Sequence, residues 1–165
     1  MRRSSGFSLL ELLAVMALMI ILLSIALTSS LDWGRSKALR GAVRGTMSRL
    51  GLARQMAVTH HTTAIFVYGN DTSVTPSRGY HYIATNETDA LVSNTNFLPK
   101  GMAYTNNIPL MLEFRADGTG AGESSEWPGG YRDLVICEPT RTNGENCLWA
   151  TVRVARVTGT ARVIE

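Results

Sequence analysis

Glu11 poses the first chemical question in this sequence. It stands at the head of an apolar stretch whose next twenty residues, Leu12 to Leu31 (LLAVMALMIILLSIALTSSL), carry no charge. An ionised carboxylate at that place costs several kcal/mol unless a cation neutralises it, so Glu11 calls for a partner. Immediately before it runs Gly6-Phe7-Ser8-Leu9-Leu10. A glycine at position 6 leaves the backbone unobstructed by a side chain, as an extended scissile bond requires. The other reactive groups are sparse: three His and two Cys, too few for a structural zinc site at close spacing. Cys137 and Cys147 form one possible disulfide, which would close a loop of about ten residues and contribute about 2 to 3 kcal/mol if the body lies outside the cytoplasm. In the cytosol they would be thiols.

The remaining candidates read as surface. His60-His61 lacks the spacing of a metal or catalytic pair, because adjacent side chains on a helix diverge by about 100°. Glu123, Glu126 and Asp133 lack the alternating ligands of a calcium loop and read as solvating residues. No G-x-S-x-G, P-loop or CxxC occurs. The expectation is therefore no enzyme, no metal and no cofactor.

The elements that position these residues follow from periodicity. Twenty helical residues at about 1.5 Å each cover a hydrocarbon core of about 30 Å, so residues 7–31 are expected to span a membrane. Arg2 and Arg3 place the amino terminus in the cytoplasm. A secretory signal cut after Ala26, at Ser24-Ile25-Ala26, is the competing reading and would release a secreted enzyme. Asp32-Trp33-Gly34 then suggests an interface, with Gly34 loosening the helix. From 32 to 60 the pattern is amphipathic. Leu39, Val43, Leu50, Ala53 and Ala57 share one face, and Lys37, Arg40, Arg44, Ser48 and Gln55 lie near the opposite one. Arg35, Lys37, Arg40, Arg44, Arg49 and Arg54 occur there with no acid among them, and Gly41, Gly45 and Gly51 each cost about 1 kcal/mol relative to Ala. Such a basic surface suits acidic neighbours, lipid headgroups or DNA, or is simply solvated.

Beyond residue 60 short apolar runs alternate with turn residues. Strands are expected at 63–68, 79–84, 110–115, 134–137, 148–156 and 161–164, with a hairpin turn at Asp117-Gly118 and loops at 86–96 and 118–130. The chain of 165 residues suffices for one ordinary domain. Its formal charge of +3 conceals a split: eight basic and two acidic groups up to residue 60, eight basic and eleven acidic beyond it.

Gly6-Phe7-Ser8-Leu9-Leu10-Glu11 resembles the cleavage site of type IV prepilins, in which a short basic leader ends in Gly and the mature chain begins with Phe and carries Glu at its fifth position. The resemblance implies that a prepilin peptidase removes a leader of residues 1–6 after Gly6 and methylates the amino group of Phe7. It also implies that Glu11 pairs with the amino group of Phe7 on a neighbouring subunit during assembly. Four body segments, ARQMAVTHHTTAIFVY, Leu98-Pro99-Lys100-Gly101, Leu112-Glu113-Phe114-Arg115-Ala116-Asp117-Gly118-Thr119 and Val157-Thr158-Gly159-Thr160-Ala161-Arg162-Val163, resemble the GspH/FimT group of minor pilins. That group implies an α+β fold: a long amino-terminal helix, transmembrane in its first half and amphipathic in its second, packed on a small, mainly antiparallel β-sheet body spanning 61–165.

The implied function is a structural subunit of a type II secretion pseudopilus (the H-type member) or of a type IV pilus tip complex. The chain would be held in the bacterial inner membrane with its body in the periplasm. The implied partners are prepilin peptidase, other pilin or pseudopilin subunits and membrane lipid. The alternative is a DNA-binding minor pilin for DNA uptake, using Arg153, Arg156 and Arg162. DNA-binding members carry a carboxy-terminal Gly-Arg-x-Arg; this chain reads Gly159-Thr160-Ala161-Arg162 and matches its second Arg. Many pilins also have a proline well inside the span, and none occurs here between Phe7 and Trp33.

Overall fold

A computed structural model describes residues 9–85, 93–105, 110–121, 127–138 and 148–164, and within these the side chains of 26–33 lie outside the description. The chain divides into two compact units, residues 1–36 and 37–165. One helix, α1, covers Leu9–His60. Its sequence is rich in Leu, Ala and Met and free of proline, so neither propensity nor a missing N–H interrupts it. Gly34 is itself helical. The loosening expected there does not occur, because one glycine costs only about 1 kcal/mol and leaves every backbone hydrogen bond available.

The end of α1 has a clear cause. His61 adopts φ +51°, and the N–H of Thr62 donates to the carbonyl of Ala57 at 3.1 Å. That six-to-one bond around a left-handed residue is a Schellman cap, with histidine where glycine is usual.

Among the described residues eight strands follow: β1 (Ala64–Asp71), β2 (Arg78–Thr85), β3 (Asn96–Phe97), β4 (Ala103–Tyr104), β5 (Leu110–Phe114), β6 (Tyr131–Cys137), β7 (Trp149–Ala155) and β8 (Ala161–Ile164). They form two four-stranded sheets, ordered β3-β2-β1-β5 and β4-β6-β7-β8, and every pairing is antiparallel. The six expected strands are present, while β3 and β4, two residues each, carry too little pattern to be read from sequence. β3 also begins at Asn96, the last residue of the loop expected at 86–96. The expected loop at 118–130 contains more order than its composition suggests: Gly120 bridges Phe114, and Pro128–Gly130 form a 3-10 turn.

Both sheets and the helix from Ala42 onward share one hydrophobic core. The helix contributes Ala42, Val43, Leu50, Ala53 and Ala57; the first sheet Phe66, Tyr68, Ile83, Leu112 and Phe114; the second Leu134, Ile136, Val152 and Val154. The helical positions recur at three- and four-residue intervals, the spacing that keeps one face turned inward. The predicted polar face is outside: Lys37, Arg40, Arg44, Ser48 and Gln55 are all exposed.

Candidate functional site

At the amino end, Gly6 and Phe7 lie outside the described residues. The description begins two residues later, and Glu11 sits in the first turn of α1. There its carboxylate meets the positive end of the helix dipole, a favourable placement. Around and beyond it every described large apolar side chain is exposed, from 50% for Val15 to 83% for Leu9 and on through Ile25. A helix apolar all round is stable only when lipid or other helices cover it. Among the described residues no helix is long and apolar enough to cross a membrane. The span expected at 7–31 begins in undescribed residues, and the side chains of its last six residues lie outside the description.

In the body, three of the four segments that carry the family resemblance converge. The turn after β5 has its backbone closed by Gly118 N–H donating to the Arg115 carbonyl at 2.8 Å. Asp117 accepts from the Thr119 backbone N–H at 2.8 Å and from its hydroxyl at 2.6 Å, and those bonds hold the Asp117 carboxyl below its ordinary pKa. The β7–β8 turn brings Gly159 against the same place. Arg54 of α1 lies between the two turns and donates from Nε to the Gly118 carbonyl at 3.1 Å. Gly118 and Gly159 both have positive φ, +79° and +60°. A Cβ on Gly159 would collide with the Gly118 carbonyl oxygen and press on Arg54. The Gly of Gly159-Thr160-Ala161-Arg162 is thus required by packing.

A buried polar junction joins the helix to both sheets, and nothing in the sequence pattern announced it. The Tyr104 hydroxyl on β4 lies 3.1 Å from Thr46 Oγ1 on α1 and 3.1 Å from His81 Nδ1 on β2. Asn70 on β1 locks the Tyr104 backbone, donating to its carbonyl at 2.6 Å and accepting from its N–H at 2.9 Å. The His81 ring stacks on Phe66 at 5.4 Å. Burial, helped by the charge of Arg49, lowers the His81 pKa to about 4, and burial raises that of Tyr104. The imidazole is therefore neutral at physiological pH. Thr46 breaks the apolar face of α1 without indicating what it bonds, because its partner Tyr104 lies 58 residues away in sequence.

Of the arginines named for phosphate contacts, Arg153 and Arg162 come together and Arg156 stands apart from them on the turn side of β7. Arg153 forms a two-pronged pair with Asp133, at 2.8 and 2.7 Å, which lowers the Asp133 pKa. Its guanidinium lies 5.3 Å from the centre of the Tyr131 ring, and that of Arg162 lies 5.9 Å from the same ring. Arg153 is therefore already neutralised. Asp133, expected to solvate a loop, is instead a strand residue in this pair. Cys137 ends β6 half-buried; Cys147, Glu123 and Glu126 lie outside the described residues. His60 and His61 are exposed, and no cluster of three or more metal-ligating side chains occurs among the described residues.

The family model for the prokaryotic N-terminal methylation motif matches residues 1–27. The fold is similar to the crystal structure of type IV minor pilin FimU of Pseudomonas aeruginosa (strain PAO1) in space group P21. The TM-score is 0.53 at 16% sequence identity, over 81% of this chain and 92% of that one. The structure of the same protein in space group P65 gives 0.49 at 16%, over 77% and 93%. No curated protein sequence matches the chain. The fold is thus a pilin-like α+β fold, a long helix packed on antiparallel sheets. The chain joins that type IV minor pilin-like fold to an N-terminal methylation motif, which implies processing by prepilin peptidase.

Proposed function

We propose that this chain is a minor pilin of the GspH/FimT group, a structural subunit inserted into a pilus tip complex after leader removal. The observation that carries the proposal is the coincidence of the methylation motif over residues 1–27 with a helix whose apolar side chains from Leu9 to Ile25 are uncovered. Residues 7–31 form the membrane helix and 61–165 the periplasmic body. On extraction from the bilayer the exposed leucines, isoleucines and methionines pack against the same helices of neighbouring subunits, where close packing replaces lipid. Glu11 fixes the register. Buried in such a bundle its carboxylate demands a cation, and the amino group of a neighbour's Phe7 supplies one. The likeness to FimU supports the pilus member of the group; an H-type pseudopilin of type II secretion would be built from the same parts. The pairing of Arg153 with Asp133 weighs against DNA capture by the trio of arginines.

The test is incorporation. Glu11→Ala is expected to be cleaved as the wild type is, yet to stay in the membrane fraction while wild-type chain appears in sheared filaments. Equal amounts of both in filaments would contradict the charge-pairing role.

A further inference from the structure

Beside α1, on the side of the second sheet, two hollows follow one another, each of about 530 Å³ and both lined by Met47. One lies between Gly51, Gln55 and Val58 of the helix and Gly159 to Ala161 at the start of β8. The other lies between Leu39, Arg40 and Arg44 of the helix and Trp149 and Val163 of β7 and β8. Together they form a groove along the helix from Leu39 to Thr59. At about 1.5 Å per helical residue that is about 30 Å, the length of about nine extended residues.

Three observations define what fits it. The first is the strand edge. β8 ends the order β4-β6-β7-β8 and pairs with β7 alone among the described residues. The N–H of Ala155 donates to the carbonyl of Thr160 at 2.9 Å. Antiparallel alternation then turns the N–H and C=O of Arg162 toward β7 and those of Ala161 and Val163 away from it. Such an edge is a template for another strand. The second observation is an uncovered apolar strip behind that edge. Val163 lies opposite fully buried Val152 and so on the core face, yet it is 43% exposed, and Trp149 in the same hollow is 60% exposed. The third is charge. Every charged residue lining the groove is an arginine: Arg40, Arg44 and Arg54. Arg54 already donates to the Gly118 carbonyl. Arg40 and Arg44 stand one helical turn apart and are exposed, and α1 carries no acid between Gly34 and His60.

We propose that the groove takes an extended acidic segment of a partner protein, which adds to β8 as a fifth strand of that sheet. Its backbone meets the outward N–H and C=O groups of Ala161 and Val163. Its apolar side chains cover Val163 and Trp149, and its carboxylates meet Arg40 and Arg44. Other occupants match less of this surface. A lipid tail has neither donor nor acceptor for a strand edge, and a nucleic-acid backbone brings phosphate acceptors without the alternating donors. A second copy joined β8 to β8 would bring two arginine-lined rims together, a like-charge contact. The groove belongs to the body, so the inference stands apart from leader removal and helix packing, and its test reads neither.

The experiment is amide hydrogen exchange, read by nuclear magnetic resonance on the full chain in uncharged detergent micelles. The probe is an eight-residue peptide that alternates valine and glutamate. At saturation it is expected to slow exchange of the Ala161 and Val163 amides about tenfold or more. The same peptide with lysine for glutamate is expected to bind at least about fivefold more weakly. Arg40→Glu combined with Arg44→Glu alters exposed side chains only, and is expected to lower peptide affinity about fivefold to tenfold. Val163→Pro removes an outward N–H without touching the β7 ladder, and is expected to lower affinity about fivefold or more. Far-ultraviolet circular dichroism equal to wild type identifies the folded variants, and the arginine variant carries the test where proline disturbs the fold. Unchanged exchange at Ala161 and Val163 under saturating peptide, equal binding of the lysine peptide, or a folded arginine variant with unchanged affinity would each overturn the proposal. So would protection of the same amides by a short DNA duplex at lower concentration than the peptide, or protection that grows with protein concentration alone. Those results would assign the edge to nucleic acid or to a second copy.

Discussion

His81 shows how much depends on one side chain that periodicity cannot single out. Its ring is buried, stacked on Phe66 and bonded to Tyr104, and its pKa falls from 6.5 to about 4 on folding. Above pH 6.5 the ring is neutral in folded and unfolded chains alike, and stability does not depend on it. Between about 6.5 and 4 the unfolded chain takes up a proton that the folded chain refuses, so stability falls as pH falls, by about 3 kcal/mol in all. Denaturant melts of wild type and His81→Gln over pH 7 to 4 are expected to converge as pH drops; parallel curves would mean that His81 protonates freely in the fold. Gly159 makes the same point for backbone. Alanine there must hold φ near +60° and displace the Gly118 carbonyl and Arg54, so Gly159→Ala is expected to lose about 2 to 4 kcal/mol in equilibrium unfolding. A loss within experimental error would show that the two turns are not clamped.

At the scale of elements, α1 was legible because its apolar residues keep a helical interval from Leu39 to Ala57, and all five named for the inner face are buried or partly buried. The longer strands were legible because β1, β2, β6 and β7 alternate or run apolar for seven or eight residues. β3 and β4 were not, since two residues have no period. The division into two sheets was equally hidden, because partner choice is decided by contacts far apart in the chain. The amino-terminal methylation motif was the clearest signal of all: its meaning lies in local order, glycine before phenylalanine before glutamate, and needs no tertiary information. The Tyr104 junction exists only once strands from both sheets meet. The helix end offers a direct check on local structure. His61 occupies a left-handed position that glycine fills without strain, so His61→Gly is expected to raise stability by about 0.5 to 1 kcal/mol in thermal unfolding. Destabilisation would mean that the imidazole makes a contact worth more than that strain.

For the whole molecule, the two units ask for different solvents. The body, from Lys37 onward, buries its own core of aromatic and aliphatic side chains, as a water-exposed domain must. The described start of α1 buries none of its large apolar residues and depends on lipid or on other copies of the same kind of helix. The charge follows this division. Two arginines precede the apolar run, six basic residues follow it between Arg35 and Arg54, and the acidic residues concentrate beyond residue 60. Loss of a leader ending at Gly6 would remove Arg2 and Arg3 and lower the side-chain balance from +3 to +1. A chain starting at Phe7 would carry no charged side chain up to Gly34 other than Glu11 and Asp32. The account therefore turns on where the mature chain begins. Mass spectrometry of the amino-terminal peptide from the membrane fraction of cells that contain prepilin peptidase tests it directly. The account predicts a chain that starts at Phe7 with a methylated amino group; a chain that still begins at Met1, or that begins at Leu27, would contradict it.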